Sequence, residues 1–256
     1  MLIQNPFMKK IAPLFCYSKY QRLIVCLAAF VLWSCHHNAQ PSTSTSHLLG
    51  KGNLELAGTT FQLQKEVYEA YLKMKSAAEE DGIELLGVSG YRSFERQKQI
   101  WNRKYTQFTQ VEGLTPEKAI DKIITYSTIP GTSRHHWGTD LDVIDNGVSV
   151  TGSLLDPKKY EEKGPFGALK KWMDEHANAF GFYLVYTQNP SRKGFYYEPW
   201  HYTYRPLSQP MLKEYMKLHF REIFKNENVL GYEYMSDAFI EKYIQENILD
   251  INPLVK

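Results

Sequence analysis

Cysteine is scarce in this chain, and its few occurrences all lie near the N-terminus. The 256 residues include three cysteines, Cys16, Cys26 and Cys35. From residue 48 onward there is no thiol, so that part of the chain can form neither a disulfide nor a cysteine-ligated metal site. Any metal bound there must be held by histidine, aspartate or glutamate.

The sequence also lacks a long hydrophobic run, a basic stripe, an internal repeat and a second linker. With 30 Lys and Arg against 28 Asp and Glu the net charge is +2, and we expect no nucleic-acid binding. The main apolar stretch, LIVCLAAFVLWSC, is shorter than a typical transmembrane helix. From Leu48 onward about 200 residues remain, enough for one domain with its own core, which we expect to be a monomer.

The first 34 residues resemble the signal peptide of a bacterial lipoprotein. Basic residues precede the apolar stretch: Lys9, Lys10, Lys19 and Arg22. The stretch ends at Leu32-Trp33-Ser34-Cys35, which resembles a lipobox, although Trp33 departs from the usual small or aliphatic residue. We predict lipidation at Cys35, a flexible tether over residues 35–47 and one domain over residues 48–256. The alternative is an uncleaved anchor with an incidental cysteine, and either way the domain lies outside the cytoplasm.

Apolar periodicity and turn residues predict an α+β fold with a small antiparallel sheet and flanking helices. Helical spacing predicts a helix over residues 64–80, and Ser93 and Thr115 are predicted to cap the next two helices. The stretch IELLGVSGYRS predicts a buried strand that ends at Ser89-Gly90. Three further helices are predicted over residues 165–181, 211–224 and 237–249.

The stretch TDLDVIDNGVSVTG predicts a β-hairpin, because an Asn-Gly pair is the strongest short hairpin signal. In its first strand, Leu141 and Val143 are expected to face one side of the sheet. Asp140 and Asp142 are expected to face the other side.

Two short polar segments are candidate sites. The segment SRHHWGTDLD, residues 133–142, places two histidines and two aspartates around a Trp-Gly turn. The segment EPWH, residues 198–201, lies near the end of a second predicted hairpin over residues 182–204. Positions three apart point to opposite faces of a regular strand, so Glu198 and His201 share a site only if the strand is distorted. The proline between them supplies a reason for distortion.

Together, the pattern Ser-x-His-x-x-Gly-x-x-x-Asp followed by Glu-x-x-His resembles the VanY-type zinc D-alanyl-D-alanine carboxypeptidases, including LdcB-like L,D-carboxypeptidases. SGYRS, residues 89–93, is similar to a third motif of that family and precedes the other two in the same order. The resemblance implies the fold of VanY and hedgehog-type zinc domains. One departure is Asp140, where many members carry alanine, and an exchange of ligand roles between Asp140 and Asp142 stays open.

Carried over residue by residue, the resemblance implies that His135, Asp142 and His201 bind Zn²⁺. Three nitrogen and oxygen ligands leave a fourth position open, as a catalytic zinc site requires. Glu198 matches the general base of the family, which takes a proton from water and passes it to the leaving amine.

The resemblance also implies two residues that contact the substrate. Arg92 matches an arginine that holds the scissile region and steadies the developing oxyanion, and the alternative is an ion pair near a strand end. Ser133 matches a residue near the terminal carboxylate of the substrate, and the alternative is a plain turn hydroxyl. His136 is expected to support the site or face solvent, Trp137 to line the pocket or the core, and Trp200 and Tyr202 to pack.

The function implied by the resemblance is that of an exported zinc carboxypeptidase that removes a terminal D-Ala from peptidoglycan stem peptides. The lipid anchor at Cys35 would hold it at a membrane of the cell envelope, close to its substrate. The same motifs also serve L,D-carboxypeptidases, D,D-dipeptidases and endopeptidases, and a zinc-stabilised wall-binding module is the alternative outside enzymes. The presence of Glu198 beside a complete ligand set favours an enzyme.

Overall fold

The structure is a computed structural model that describes residues 44–256. The predicted signal peptide, Cys35 and most of the predicted tether lie outside the described residues. Within the described range, no helix has both the length and the apolar character needed to cross a membrane. The α-helices are α1 (Thr45–Leu48), α2 (Lys65–Glu80), α3 (Phe94–Thr106), α4 (Pro116–Ile124), α5 (Gly167–His176), α6 (Arg205–Tyr215), α7 (Phe220–Asn226) and α8 (Asp237–Tyr243). The strands are β1 (Leu56–Ala57), β2 (Leu63–Gln64), β3 (Leu85–Ser89), β4 (Asp140–Asp145), β5 (Phe182–Leu184) and β6 (His201–Tyr204).

Four of the strands form an antiparallel sheet in the order β3-β4-β6-β5. Asp142 of β4 is opposite His201 of β6 on one side and Ser89 of β3 on the other. Directly opposed residues of neighbouring strands have their side chains on the same face of a sheet. The register therefore brings the two polar segments together, and the predicted α+β fold with a small antiparallel sheet is confirmed.

The predicted helix starts follow from local capping. Ser93 Oγ accepts a hydrogen bond from the Arg96 amide, and Thr115 Oγ1 accepts one from the Lys118 amide. Helix α2 matches the predicted range, and its apolar stripe is buried as expected: Val67, Tyr71, Met74 and Ala78.

The first predicted hairpin is wrong. Strand β4 ends at the Asn146-Gly147 turn, where Asp145 Oδ1 accepts a hydrogen bond from the Gly147 amide. Residues 148–150 then form no strand. The two edges of β4 are occupied by β3 and β6, so no edge is left for a strand that follows the turn.

The second predicted hairpin forms only in part. Strand β5 pairs with β6, but residues 195–200 lie outside the strands. The His201 amide donates to the Glu198 carbonyl oxygen at 3.1 Å, which closes a tight turn just before β6. A turn, and not a distorted strand, therefore brings the Glu198 and His201 side chains to the same place.

The buried apolar residues form two hydrophobic clusters, one of which includes the apolar residues of the sheet. Trp200 and Tyr202 belong to the cluster that α2 and α5 help to form, and both are packing residues as predicted. Trp137 is 1% exposed in the other cluster, where its Nε1 donates to the Leu48 carbonyl, so it is a core residue. The predicted 211–224 helix is divided between α6 and α7, and the last predicted tether residues form part of α1.

Candidate metal centre

The segment SRHHWGTDLD forms a short 3₁₀-helix, Arg134–Trp137, followed by β4. Gly138 ends the helix with φ 65, a left-handed conformation that favours glycine. A side chain at that position would press on Gln64 and Leu56, with which the turn is in contact. After this tight turn the chain enters β4, of which Asp142 is the third residue.

His135, Asp142 and His201 meet at one point. Each offers one ligand atom, and these atoms all lie within 4.8 Å of one another. His135 Nε2 is 3.6 Å from Asp142 Oδ2, and His201 Nδ1 is 3.8 Å from Asp142 Oδ1. All three side chains are buried, so the group can hold an ion largely shielded from water.

Each histidine is held by the ring nitrogen that faces away from the group. His135 Nδ1 is 2.8 Å from the Gly90 carbonyl oxygen, to which it donates. His201 Nε2 is 3.0 Å from Asp140 Oδ2. A hydrogen bond at one ring nitrogen fixes which nitrogen is left for a metal. His135 Nε2 and His201 Nδ1 are therefore the nitrogens that face the shared point.

The Asp142 carboxylate has the features of a metal ligand. Its Oδ1 is buried and has no hydrogen-bond partner among the described residues. Burial raises the pKa of Asp142 to about 6. An unpartnered buried oxygen is costly, and a cation at the shared point would satisfy it.

The two histidines differ in their electrostatic environment. Burial, together with the neighbouring His201, holds the pKa of His135 well below its ordinary value, so His135 is neutral. Burial also lowers the pKa of His201, but hydrogen bonds to Asp140 and Glu198 outweigh it and raise that pKa to about 10.

Glu198 lies beside this group and reaches solvent. Its Oε2 is 2.9 Å from His201 Nδ1, and its side chain is 30% exposed, whereas those of the three grouped residues are nearly closed off. Its carboxylate is therefore next to the nitrogen through which His201 faces the shared point, and it is accessible from the cleft.

The group lines a cleft of about 470 Å³, together with Arg92 and Ser133. Arg92 Nη1 donates to Gln97 Oε1 at 3.0 Å, which fixes the guanidinium inside the cleft. Burial lowers the pKa of Arg92, and the negative charge of Asp142 opposes that shift. Ser133 is 3% exposed and does not cap the 3₁₀-helix that follows it.

His136 is a bridge between two loops and not part of the ligand group. Its Nε2 accepts a hydrogen bond from the Gly131 amide, so its Nδ1 carries the proton that is donated to the Arg92 carbonyl oxygen at 2.6 Å. Burial lowers the pKa of His136 to about 4. The neutral ring ties the loop containing Arg92 to the loop before Ser133.

Several residues around the cleft were missed by sequence reasoning. Gln97 is fully buried, and its Nε2 donates to the Thr128 carbonyl oxygen at 2.7 Å. Its place in the sequence could have indicated this, because Gln97 is a polar residue on the buried face of α3, between Phe94 and Trp101. Tyr126 and Tyr196 line the cleft from different loops with ring centroids 5.9 Å apart, and the ring of Tyr186 contacts His201 edge-on. No local pattern marks these tyrosines.

Residues 60–207, more than half of the chain, match the VanY family, which is described as D-alanyl-D-alanine carboxypeptidase. The chain belongs to the VanY family. The match includes all three motifs and confirms the resemblance on which the sequence prediction rested. As a VanY-family member, the chain is a peptidase, and its His-Asp-His group is consistent with zinc.

This VanY-family chain is also similar to individual proteins. An uncharacterised protein of Haemophilus influenzae is 34% identical over 109 residues, which are 42% of this chain and 83% of that protein. A D-alanyl-D-alanine carboxypeptidase of Enterococcus faecalis is 31% identical over 129 residues, which are 50% of this chain and 42% of that protein. The matched region thus spans less than half the length of the Enterococcus relative.

Among solved structures, one similar chain is a mutant of the vancomycin resistance D,D-pentapeptidase VanY from the VanB-type resistance cassette, in complex with Zn(II). The TM-score is 0.47 at 26% sequence identity. The similarity covers 64% of this protein and 85% of the solved chain.

Proposed function

We propose that the protein is an exported zinc D,D-carboxypeptidase that removes a terminal D-Ala from peptidoglycan stem peptides. The observation that carries this proposal is the meeting of His135, Asp142 and His201 beside Glu198 in one cleft. The description of the family and the name of the Enterococcus relative support D-alanyl-D-alanine peptides as substrates.

The donor set fits zinc. Two imidazole nitrogens and one carboxylate form a typical set of three protein ligands for a catalytic zinc ion, which keeps a fourth position open. His135, Asp142 and His201 would hold the ion, and the unpartnered Asp142 Oδ1 gives it an oxygen that no described residue uses. Bound zinc supplies Lewis acidity, which activates water and polarises a carbonyl group.

Glu198 is the proposed general base. A base must lie within hydrogen-bond reach of the proton that it takes and must be able to release it again. The Glu198 carboxylate lies next to the grouped ligands and is partly exposed to the cleft, so it can take a proton from water and deliver it to the leaving D-Ala amine.

Arg92 and Ser133 are the proposed substrate-binding residues. Arg92 Nη1 donates to Gln97, which holds the guanidinium in place. The other N–H groups of Arg92 are left for the carbonyl oxygen at the scissile bond. Ser133 precedes the helical turn that bears His135 and lines the same cleft, where its hydroxyl can donate to the terminal carboxylate.

The location of the enzyme is part of the proposal. Cleavage of the signal peptide and acylation of Cys35 would leave the domain tethered to a membrane of the cell envelope, facing the periplasm or the exterior. A tethered enzyme meets a wall-bound substrate at high effective concentration. We propose that it acts there as a monomer.

The test uses the full-length protein purified in detergent, with pentapeptide and tetrapeptide muropeptides as substrates. Reactions run with and without a chelator, and mass spectrometry follows the products. The Glu198→Gln variant removes the proposed base, and Glu162→Gln, which changes an exposed carboxylate elsewhere, is the matched control. We expect loss of one D-Ala from the pentapeptide, inhibition by chelator, and a rate lowered about 10²–10⁴-fold in Glu198→Gln alone.

Other outcomes assign other activities. Cleavage of the tetrapeptide alone would show an L,D-carboxypeptidase. In parallel reactions, hydrolysis only of free D-Ala-D-Ala to two D-Ala would show a D,D-dipeptidase, and cleavage only of cross-linked muropeptide dimers would show an endopeptidase. A zinc-loaded protein that cleaves none of these substrates would overturn the enzyme proposal in favour of a wall-binding module.

A further inference from the structure

Asp140 is a fully buried carboxylate to which the proposed reaction gives no role. It lies on β4 opposite Thr203 of β6, two residues before Asp142. The residues that can share a metal ion do not include it, since its oxygens face the far side of His201. A buried carboxylate is costly unless it is fully hydrogen-bonded, so its contacts indicate what it does.

Both oxygens of Asp140 are occupied. Oδ2 accepts from Arg134 Nε at 2.7 Å and lies 3.0 Å from His201 Nε2. Oδ1 accepts from the hydroxyls of Thr139 and Thr203, at 2.8 and 2.5 Å. Four partners match the four acceptor positions of a carboxylate. Asp140 could bind a metal only by giving up one of these contacts, which argues against an exchange of roles with Asp142.

Arg134 fixes the carboxylate from behind. Its Nε contacts Asp140 while its Nη2 donates to Thr203 Oγ1 at 2.9 Å, and its guanidinium lies 4.7 Å from the centre of the Trp137 ring. A planar guanidinium can make these contacts together, which a lysine ammonium cannot. Asp140, Arg134 and Thr203 thus form one buried unit, which we name the clamp.

Of the three grouped residues, His201 is the one to which the clamp hydrogen-bonds. Because Asp140 accepts from Nε2, it is Nδ1 that faces Asp142 and Glu198. A carboxylate behind a metal-binding histidine holds the ring, sets the nitrogen that binds and increases the basicity of the ligand.

We propose that Asp140, held by Arg134 and Thr203, is a positioning residue that orients His201 and thereby strengthens zinc binding. This inference rests on the proposed zinc function. It assigns a role to the aspartate that departs from the family pattern, and it predicts that zinc affinity depends on a residue that does not touch the ion.

The test measures the zinc Kd of the full-length protein by competition with a chromophoric chelator at fixed pH. We expect Asp140→Ala to weaken zinc binding about 10–100-fold, the usual cost of losing a partner of this kind. Asp140→Asn keeps the shape and one acceptor oxygen, so we expect a smaller loss, and it serves as the second variant if Asp140→Ala does not fold. Arg134→Lys should weaken binding in the same direction.

Tyr71→Phe is the matched control. It removes the buried hydrogen bonds that the Tyr71 hydroxyl makes with the Leu85 carbonyl and the Gly87 amide, and it touches neither Asp140 nor His201, so it lowers stability while leaving the zinc Kd within about threefold of wild type. A purely structural role would make Tyr71→Phe and Asp140→Asn alike in both measurements. Equal zinc affinity in wild type, Asp140→Asn and Asp140→Ala would overturn the inference.

Cleavage of the pentapeptide is measured in parallel to separate the two proposals. A wild-type protein that binds zinc and cleaves, with variants that bind zinc equally well, would overturn only the role of Asp140. A wild-type protein that binds no zinc would overturn the proposed function and this inference with it.

Discussion

The two histidines of the metal centre are oriented in different ways. On one side, His135 depends on the main chain, because its Nδ1 donates to the Gly90 carbonyl and its own carbonyl accepts from the Arg92 amide. On the other side, His201 depends on the Asp140 carboxylate. A backbone acceptor cannot be removed by substituting its residue, whereas a side-chain acceptor can. The His135 side is therefore fixed by the fold, and the His201 side by particular residues.

The two sides should not differ when a histidine itself is removed, because each histidine is a proposed zinc ligand. We expect His135→Ala and His201→Ala to lose zinc alike, from about one ion per chain to almost none, with no measurable cleavage, because two ligands do not hold a catalytic zinc ion. Metal content after gel filtration measures this. His176→Asn, on the exposed end of α5, is the control. Zinc retained in His201→Ala alone would mean that a nearby carboxylate replaces His201.

Substitution of Arg92, on the His135 side, should lower the rate of catalysis without lowering zinc binding. We expect Arg92→Lys to lower kcat about 10²–10³-fold, as loss of one oxyanion donor does, while zinc content stays unchanged. Steady-state kinetics with the pentapeptide measures the change, and Arg96→Lys, an exposed arginine on α3, is the control. A kcat within threefold of wild type would identify Arg92 as a structural ion-pair residue.

His136 tests whether the backbone on the His135 side needs its own support. His136→Ala leaves the Arg92 carbonyl and the Gly131 amide without their partner. We expect the free energy of unfolding to fall by about 1–3 kcal/mol, the cost of unsatisfied buried groups. Denaturant titration of the chelator-treated protein measures it, against exposed His219→Ala. An unchanged midpoint would show that the two loops hold their positions without the bridge.

The smallest effect is expected at the mouth of the cleft, which the two sides share. Tyr126→Ala and Tyr196→Ala should each raise KM a few-fold, up to about tenfold, since an aromatic contact contributes about 0.5–1.5 kcal/mol. Neither kcat nor zinc affinity should change. Tyr234→Ala, an exposed tyrosine that does not line the cleft, is the control. A fall in zinc affinity would place these rings in the metal centre itself.

Sequence reasoning succeeded where a feature depends on neighbours along the chain. The caps at Ser93 and Thr115, the stripe of α2 and the end of β3 all depend on contacts within a few residues. The SRHHWGTDLD segment is similar, since one turn and one strand place His135 and Asp142 together. The catalytic and binding roles assigned to the site residues stay predictions.

It failed where distant segments compete for the same partner. Asn146-Gly147 makes a turn, but the hairpin does not form because β3 and β6 already occupy both edges of β4. The contacts of Asp140 also depend on distant segments of the chain. Its identity is plain in the sequence, but its contact with His201 depends on pairing between β4 and β6, which no local pattern encodes.

The unpartnered Asp142 Oδ1 links the metal to the lifetime of the protein. An unsatisfied buried oxygen costs about 1–3 kcal/mol, and an ion that binds only the folded chain stabilises it in proportion to the logarithm of the ion concentration. Zinc binding should therefore raise the free energy of unfolding. When zinc is scarce, the small population of unfolded molecules, which proteases attack, should increase.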